Sequence, residues 1–104
     1  MVVTIFTSRV REEHADEYGK LAGEMFQIAR TMPGFVSIRA YASDDGENAS
    51  VIEFDSAEHL RAWREHPQHL EAQRLGREKF YAEYRLQICE EVRSSAFTRD
   101  ETEA

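Results

Sequence analysis

An α+β fold built as strand, helix, strand, strand, helix, strand is predicted by three features of the sequence. A β-branched run, VVTIFTSRV, opens the chain, a pattern of apolar residues at three- and four-residue spacing follows from Glu12 to Met32, and an alternating stretch runs from about Lys79 to Arg93. Between them lie two more alternating runs joined by a hairpin signal and a short helical pattern. This order is the split βαββαβ arrangement of a ferredoxin-like domain with an antiparallel sheet.

The first strand is expected to end near Arg9. In the first helix Tyr18, Leu21, Ala22, Met25, Ile28, Ala29 and Met32 form the apolar stripe. Glu13, Asp16 and Glu17 at its front and Arg30 near its back complement the helix dipole. Pro33-Gly34 ends it, because Pro cannot continue a helix and Gly supplies the turn. Phe35 to Tyr41 is the second strand, Asp44-Asp45-Gly46-Glu47 the hairpin turn, and Ala49 to Phe54 the third strand. Asp55 with Glu58 three residues on reads as a capping box, starting a helix with Leu60 and Trp63 on one face. Pro67 breaks that helix and suits the first turn of the next, from Gln68 to about Gly76, with His66 between them. The last strand sets Phe80, Ala82, Tyr84, Leu86, Ile88 and Val92 against Tyr81, Glu83, Arg85, Gln87, Cys89 and Glu91.

A length of 104 residues is that of one domain, taken as residues 2–97, with the acidic end 98–104 expected to be disordered. The net charge of -7 argues against nucleic-acid and anionic-membrane partners, which are held by Lys and Arg. The apolar runs are too short to span a bilayer, the start of the chain lacks a basic region followed by an apolar one, and Cys89 stands alone. A cytoplasmic protein is expected. Large side chains on both sheet faces call for a second layer over the face the helices leave open, so a homodimer is expected as well.

Met32-Pro33-Gly34-Phe35 after the first helix, Ala62-Trp63-Arg64 with His66-Pro67-Gln68-His69, and Phe80-Tyr81 through Val92-Arg93 resemble the antibiotic biosynthesis monooxygenase domain family over about residues 2–97. The resemblance implies a ferredoxin-like subunit whose sheets pair as a dimeric α+β barrel, with a pocket in each subunit between sheet and helices. Some relatives oxygenate aromatic polyketides without a metal or organic cofactor, others bind and degrade haem, and others act in small-metabolite turnover. The haem-degrading branch uses an Asn near the end of the first strand, the helix Trp, and an axial His about three helical turns beyond it. Here Trp63 is present, but Ser8 and Gln73 stand near the Asn and His positions, which disfavours haem.

The reading adopted is a cofactor-independent monooxygenase of a small phenolic or quinol-type compound, with a haem enzyme and a non-catalytic binding protein for a hydrophobic metabolite as alternatives. Once deprotonated, such a substrate can itself pass an electron to O₂, so the protein supplies an apolar pocket, a proton acceptor and hydrogen bonds to the anion. Trp63, beside Leu60 on the apolar side of its helix, reads first as a core aromatic, and the resemblance implies that it is also the candidate pocket wall. His66 or His69 is the candidate catalytic base, since imidazole titrates near neutrality, and a rate rising through a pKa of about 6 to 7 is expected. Each also fits a helix-boundary or solvated residue. Two His make only part of a zinc shell and no third ligand follows at useful spacing, so no metal is expected. Tyr84 or Ser8 is the candidate partner of the substrate oxygen. Arg74, Arg77, Glu78 and Lys79 read as a solvated cluster at a helix end.

Overall fold

The computed structural model describes residues 1–100. In chain order it comprises β1 (Val2–Val10), a 3₁₀ turn (Glu12–His14), α1 (Ala15–Thr31), β2 (Phe35–Ala42), β3 (Asn48–Phe54), α2 (Ala57–Arg64), α3 (Pro67–Leu75), a π-helical turn (Gly76–Phe80) and β4 (Tyr81–Glu90). The sheet is antiparallel in the order β2-β3-β1-β4, the arrangement expected of a ferredoxin-like α+β domain. The acidic tail expected at 98–104 has no regular structure at 98–100, and 101–104 lie outside the described residues.

Register assigns the faces. Val2 pairs with Phe54, which pairs with Phe35, and Thr4 pairs with Ile52, which pairs with Ile38. Directly paired residues share a face, so these rows lie on the side covered by the helices. There Val2 and Phe54 pack with Met25 and Ala29 of α1 and with Leu60 and Trp63 of α2 to form the core. The far face carries Val3, Ile5 and Val51 at its centre, with Arg39, Glu53, Arg85 and Gln87 around them. It is therefore apolar only in the middle, and none of its residues joins the core cluster.

Local chemistry sets the boundaries. α1 stops at Met32, whose backbone is extended, and Gly34 follows at φ +80°. Two constraints require glycine there: the left-handed φ, and side-chain atoms of Asp55 and His59 standing where a Cβ would lie. The cap of α2 is one residue later than expected, since the Ser56 hydroxyl accepts from the His59 N–H at 3.2 Å while Asp55 holds the His59 ring at 2.6 Å. The hairpin closes by Ser43 N–H to Glu47 O and Gly46 N–H to Ser43 O, with Gly46 at φ +91°.

The last strand differs most from expectation. Helical backbone continues from α3 to Phe80 through a turn in which Tyr81 N–H donates to the Gly76 carbonyl, five residues back. Phe80 is thus a buried residue of that turn and not the first member of the alternating face, and β4 ends at Glu90. No helix among the described residues is long and apolar enough to cross a membrane.

Candidate active site

A cavity of about 230 Å³ lies between the helix-facing side of the sheet and the helices. Thr4, Phe6, Ile38, Ser50 and Ile52 form its floor, Leu21, Ala22, Met25 and Phe26 of α1 one wall, and Leu60 and Trp63 of α2 with His69 and Gln73 of α3 another. Its volume lies below the roughly 300–1,000 Å³ usual for a small-molecule site, which suits a compact ligand, and its lining is mainly apolar.

The break between α2 and α3 builds the polar part of this wall. The last carbonyls of a helix lack intrahelical partners. At the end of α2 the Trp63 carbonyl accepts from His66 N–H at 3.1 Å and lies 3.2 Å from His69 Nδ1, while the Arg64 carbonyl accepts from the Gln73 amide at 3.0 Å. A carbonyl only accepts, so this contact is a hydrogen bond in the tautomer with hydrogen on Nδ1, which puts the lone pair of the neutral ring on Nε2; the Gln73 amide nitrogen lies farther from the same Nδ1, at 3.4 Å. The same ring stacks on the Trp63 indole, centroids 4.1 Å apart and planes 11° from parallel. Burial, the leading cause, together with the nearby Arg64 and His66, pushes the His69 pKa down to about 4. The ring is therefore neutral throughout the physiological range, and the titration expected near 6 to 7 does not apply to it.

His66 has a different place. It is the N-cap of α3, its Nδ1 accepting from Gln68 N–H at 3.2 Å, with Pro67 at the first helical position. It does not line the cavity. Ser8, although buried, lines a shallow polar hollow at the other end of β1 with Glu47, Glu83 and Arg85. Of the five residues singled out from sequence, the structure brings Trp63, His69 and Tyr84 into one cavity and leaves Ser8 and His66 outside its lining.

The remaining end is aromatic. Phe6, Tyr81 and Tyr84 meet with centroids 5.4 to 5.5 Å apart, and Tyr18 of α1 packs edge-on against Tyr81 at 5.5 Å and Phe80 at 5.8 Å. Burial, followed by the nearby Tyr18, pushes the Tyr81 hydroxyl well above the usual phenol range, so it stays protonated as a donor. Gly76 leaves room for the Tyr81 ring, which occupies the space a Cβ would need. Sequence reading missed Phe6, Tyr18 and Thr4 as lining residues. For Thr4 there was a signal, since it falls on the same alternating face as Val2, where a polar residue is out of pattern.

The family model described as antibiotic biosynthesis monooxygenase matches residues 1–75, most of the chain. The chain belongs to that family. YqjZ of Bacillus subtilis (strain 168), an uncharacterised protein, is 29% identical over 93 residues, 89% of this chain and 82% of YqjZ. Among solved structures, Rv0793 of Mycobacterium tuberculosis superposes with a TM-score of 0.82 at 20% identity, covering 91% of this chain and 98% of that one. SnoaB of Streptomyces nogalater, a cofactor-independent oxygenase solved as a point mutant, superposes with a TM-score of 0.76 at 14% identity, covering 89% and 94%. At these identities the likeness concerns the fold. The residues near the positions where the resemblance places a haem-degrading Asn and His are Ser8, outside the cavity lining, and Gln73, inside it. Gln73 has its amide committed to the Arg64 carbonyl, and the one imidazole in the wall lies flat on Trp63.

Proposed function

We propose that this protein is a cofactor-independent monooxygenase of a compact, electron-rich aromatic compound of phenolic or quinol type. The observation that supports it most is His69 stacked on Trp63 in the cavity wall, its Nδ1–H committed to a carbonyl and its Nε2 lone pair uncommitted by that bond. A flat substrate packs on the apolar wall beside Trp63, Nε2 takes its proton, and Tyr84 and Tyr81 donate to the oxygen on which negative charge collects. The anion then reduces O₂ by one electron, and recombination gives a peroxide that loses water. For a ring methylene the sum is CH₂ + O₂ → C=O + H₂O, with all four electrons drawn from the substrate.

Magnitudes narrow the substrate. Moving a proton from a phenol of pKa about 10 to an imidazole at about 4 is uphill by roughly 8 kcal/mol before the ion pair forms. This favours substrates more acidic than a simple phenol. Oxygen uptake with a panel of quinols and anthrones tests the reading. His69→Ala is expected to lower the rate about 10²-fold and His66→Ala to leave it nearly unchanged, with the rate flat from pH 5 to 8. Trp63→Phe is expected to lower the rate strongly at a stability cost of about 1–2 kcal/mol. Normal turnover by His69→Ala would refute the assignment of the base. The bond from His69 to the end of α2 is equally what a capping residue makes, which favours a second reading, a non-catalytic binding protein. That reading requires ligand binding without oxygen uptake.

Dimerisation belongs to the same proposal. Val3, Ile5 and Val51 at the centre of the far face support a second copy as the missing layer there, and Tyr84, Leu86 and Ile88, each 41–47% exposed on the helix-facing side of the edge strand β4, leave further apolar surface for it at that edge. Light scattering at micromolar concentration is expected to give twice the 12.1 kDa chain mass.

A further inference from the structure

The floor of the cavity holds a hydroxyl with nothing to bond. Thr4 is 5% exposed, lines the cavity, and its Oγ1 has no hydrogen-bond partner among the described residues. Its neighbours on the same sheet face explain why. Ile52 and Ile88 pair with it across the ladders, and Val2 and Phe6 flank it along β1, so its four nearest neighbours on that face are apolar, and the hydroxyl of Ser50, diagonally across on β3, makes no bond to it. A buried hydroxyl without a partner forfeits its hydration and gains nothing in return, and Val at this position would supply the same branched shape and strand preference without that loss. A packing role alone does not account for threonine here.

We propose that Thr4 is a specificity-determining residue, its Oγ1 hydrogen-bonding a second, uncharged oxygen substituent on the ring edge that faces the sheet, so that the preferred ligand is a compact aromatic with oxygen functions at two separate positions. This rests on the reading that the cavity holds a small aromatic. The oxygen is uncharged, a hydroxyl or a carbonyl, because the floor offers only neutral hydroxyls, those of Thr4 and Ser50, and no cation. The cationic side chains of the wall, Arg64 and Arg77, come from α2 and the turn after α3. A carboxylate lowered onto Phe6, Ile38 and Ile52 would lose its hydration for neutral hydrogen bonds alone. The Thr hydroxyl donates to a carbonyl and either donates to or accepts from a phenol.

The test compares 1- and 2-naphthol with the isomeric dihydroxynaphthalenes, under nitrogen, by quenching of the single tryptophan. At least one diol is expected to bind the wild type about tenfold more tightly than either naphthol. Thr4→Val removes that advantage while leaving naphthol affinity within about twofold, and Thr4→Ser restores it. The melting temperature of Thr4→Val is expected to equal or exceed that of the wild type, since an unpaired hydroxyl has been replaced by a methyl. A diol preference that survives in Thr4→Val, or a melting temperature several degrees lower, overturns the assignment. If the wild type binds naphthols but prefers no diol, the Thr4 inference alone fails. If it binds neither class, the aromatic cavity reading fails and takes this inference with it. Binding with the predicted preference but no oxygen uptake upholds Thr4 and refutes only the catalytic step.

Discussion

β1 and β4 are hydrogen-bonded neighbours, and the two strands differ sharply in burial. Val2, Thr4 and Ser8 of β1 are buried, whereas no residue of β4 is, and Tyr84, Leu86 and Ile88 stand 41–47% exposed although they share the helix-facing side. Position in the sheet makes the difference. β1 lies between β3 and β4, while β4 is an edge strand. Alternation in a sequence tells which residues point the same way, and coverage depends on what lies opposite, which no spacing encodes.

The largest effect is expected in the core against which β1 packs. Phe54→Ala, which empties a fully buried position beside Val2, is expected to cost about 3–5 kcal/mol in denaturant unfolding. The rim of the cavity, on α3, comes next and is read through pH. Above pH 6.5 His69 is neutral both folded and unfolded. Below it the unfolded chain binds the proton first, so stability falls until the folded ring titrates at about 4, and then levels. Allowing for partial exposure of the ring, the loss is about 2 kcal/mol, seen as the difference between wild type and His69→Gln in melting curves from pH 7 to 4. Insensitivity of that difference to pH would mean that the ring takes up its proton in the fold as readily as in the unfolded chain. The smallest effect is expected on the edge. Leu86→Ala should cost less than about 1 kcal/mol at concentrations low enough to keep the chain monomeric, and a larger cost that grows with protein concentration would show that a second copy covers β4.

The fold was legible because its signals are local. The stripe of α1, the Pro33-Gly34 stop and the glycine turn at 46 each follow from a few adjacent residues. What was not legible depends on distant elements meeting. His66 and His69 look alike as letters flanking Pro67, yet one caps α3 while the other, in its first turn, folds back onto the open end of α2. The aromatic end draws on Phe6, Tyr18 and Tyr81 from three separate elements. Lys79 and Phe80 fit the alternation of the following strand as well as they fit a helix, and only the wide last turn decides between them.

That turn also bears on inheritance. A π-helical turn accommodates one residue more than an α-helical turn would, so the segment 76–80 carries its extra residue at the junction between the cavity wall and the edge strand. Deletion of a single codon there would let the helix close normally and hand the next side chain to the strand, exchanging which residue enters the wall and which enters the ladder. A change in length by one residue would thus re-aim the aromatic end of the site in one mutational step while leaving the sheet pairing of β1 with β3 and the stacking of His69 on Trp63 untouched.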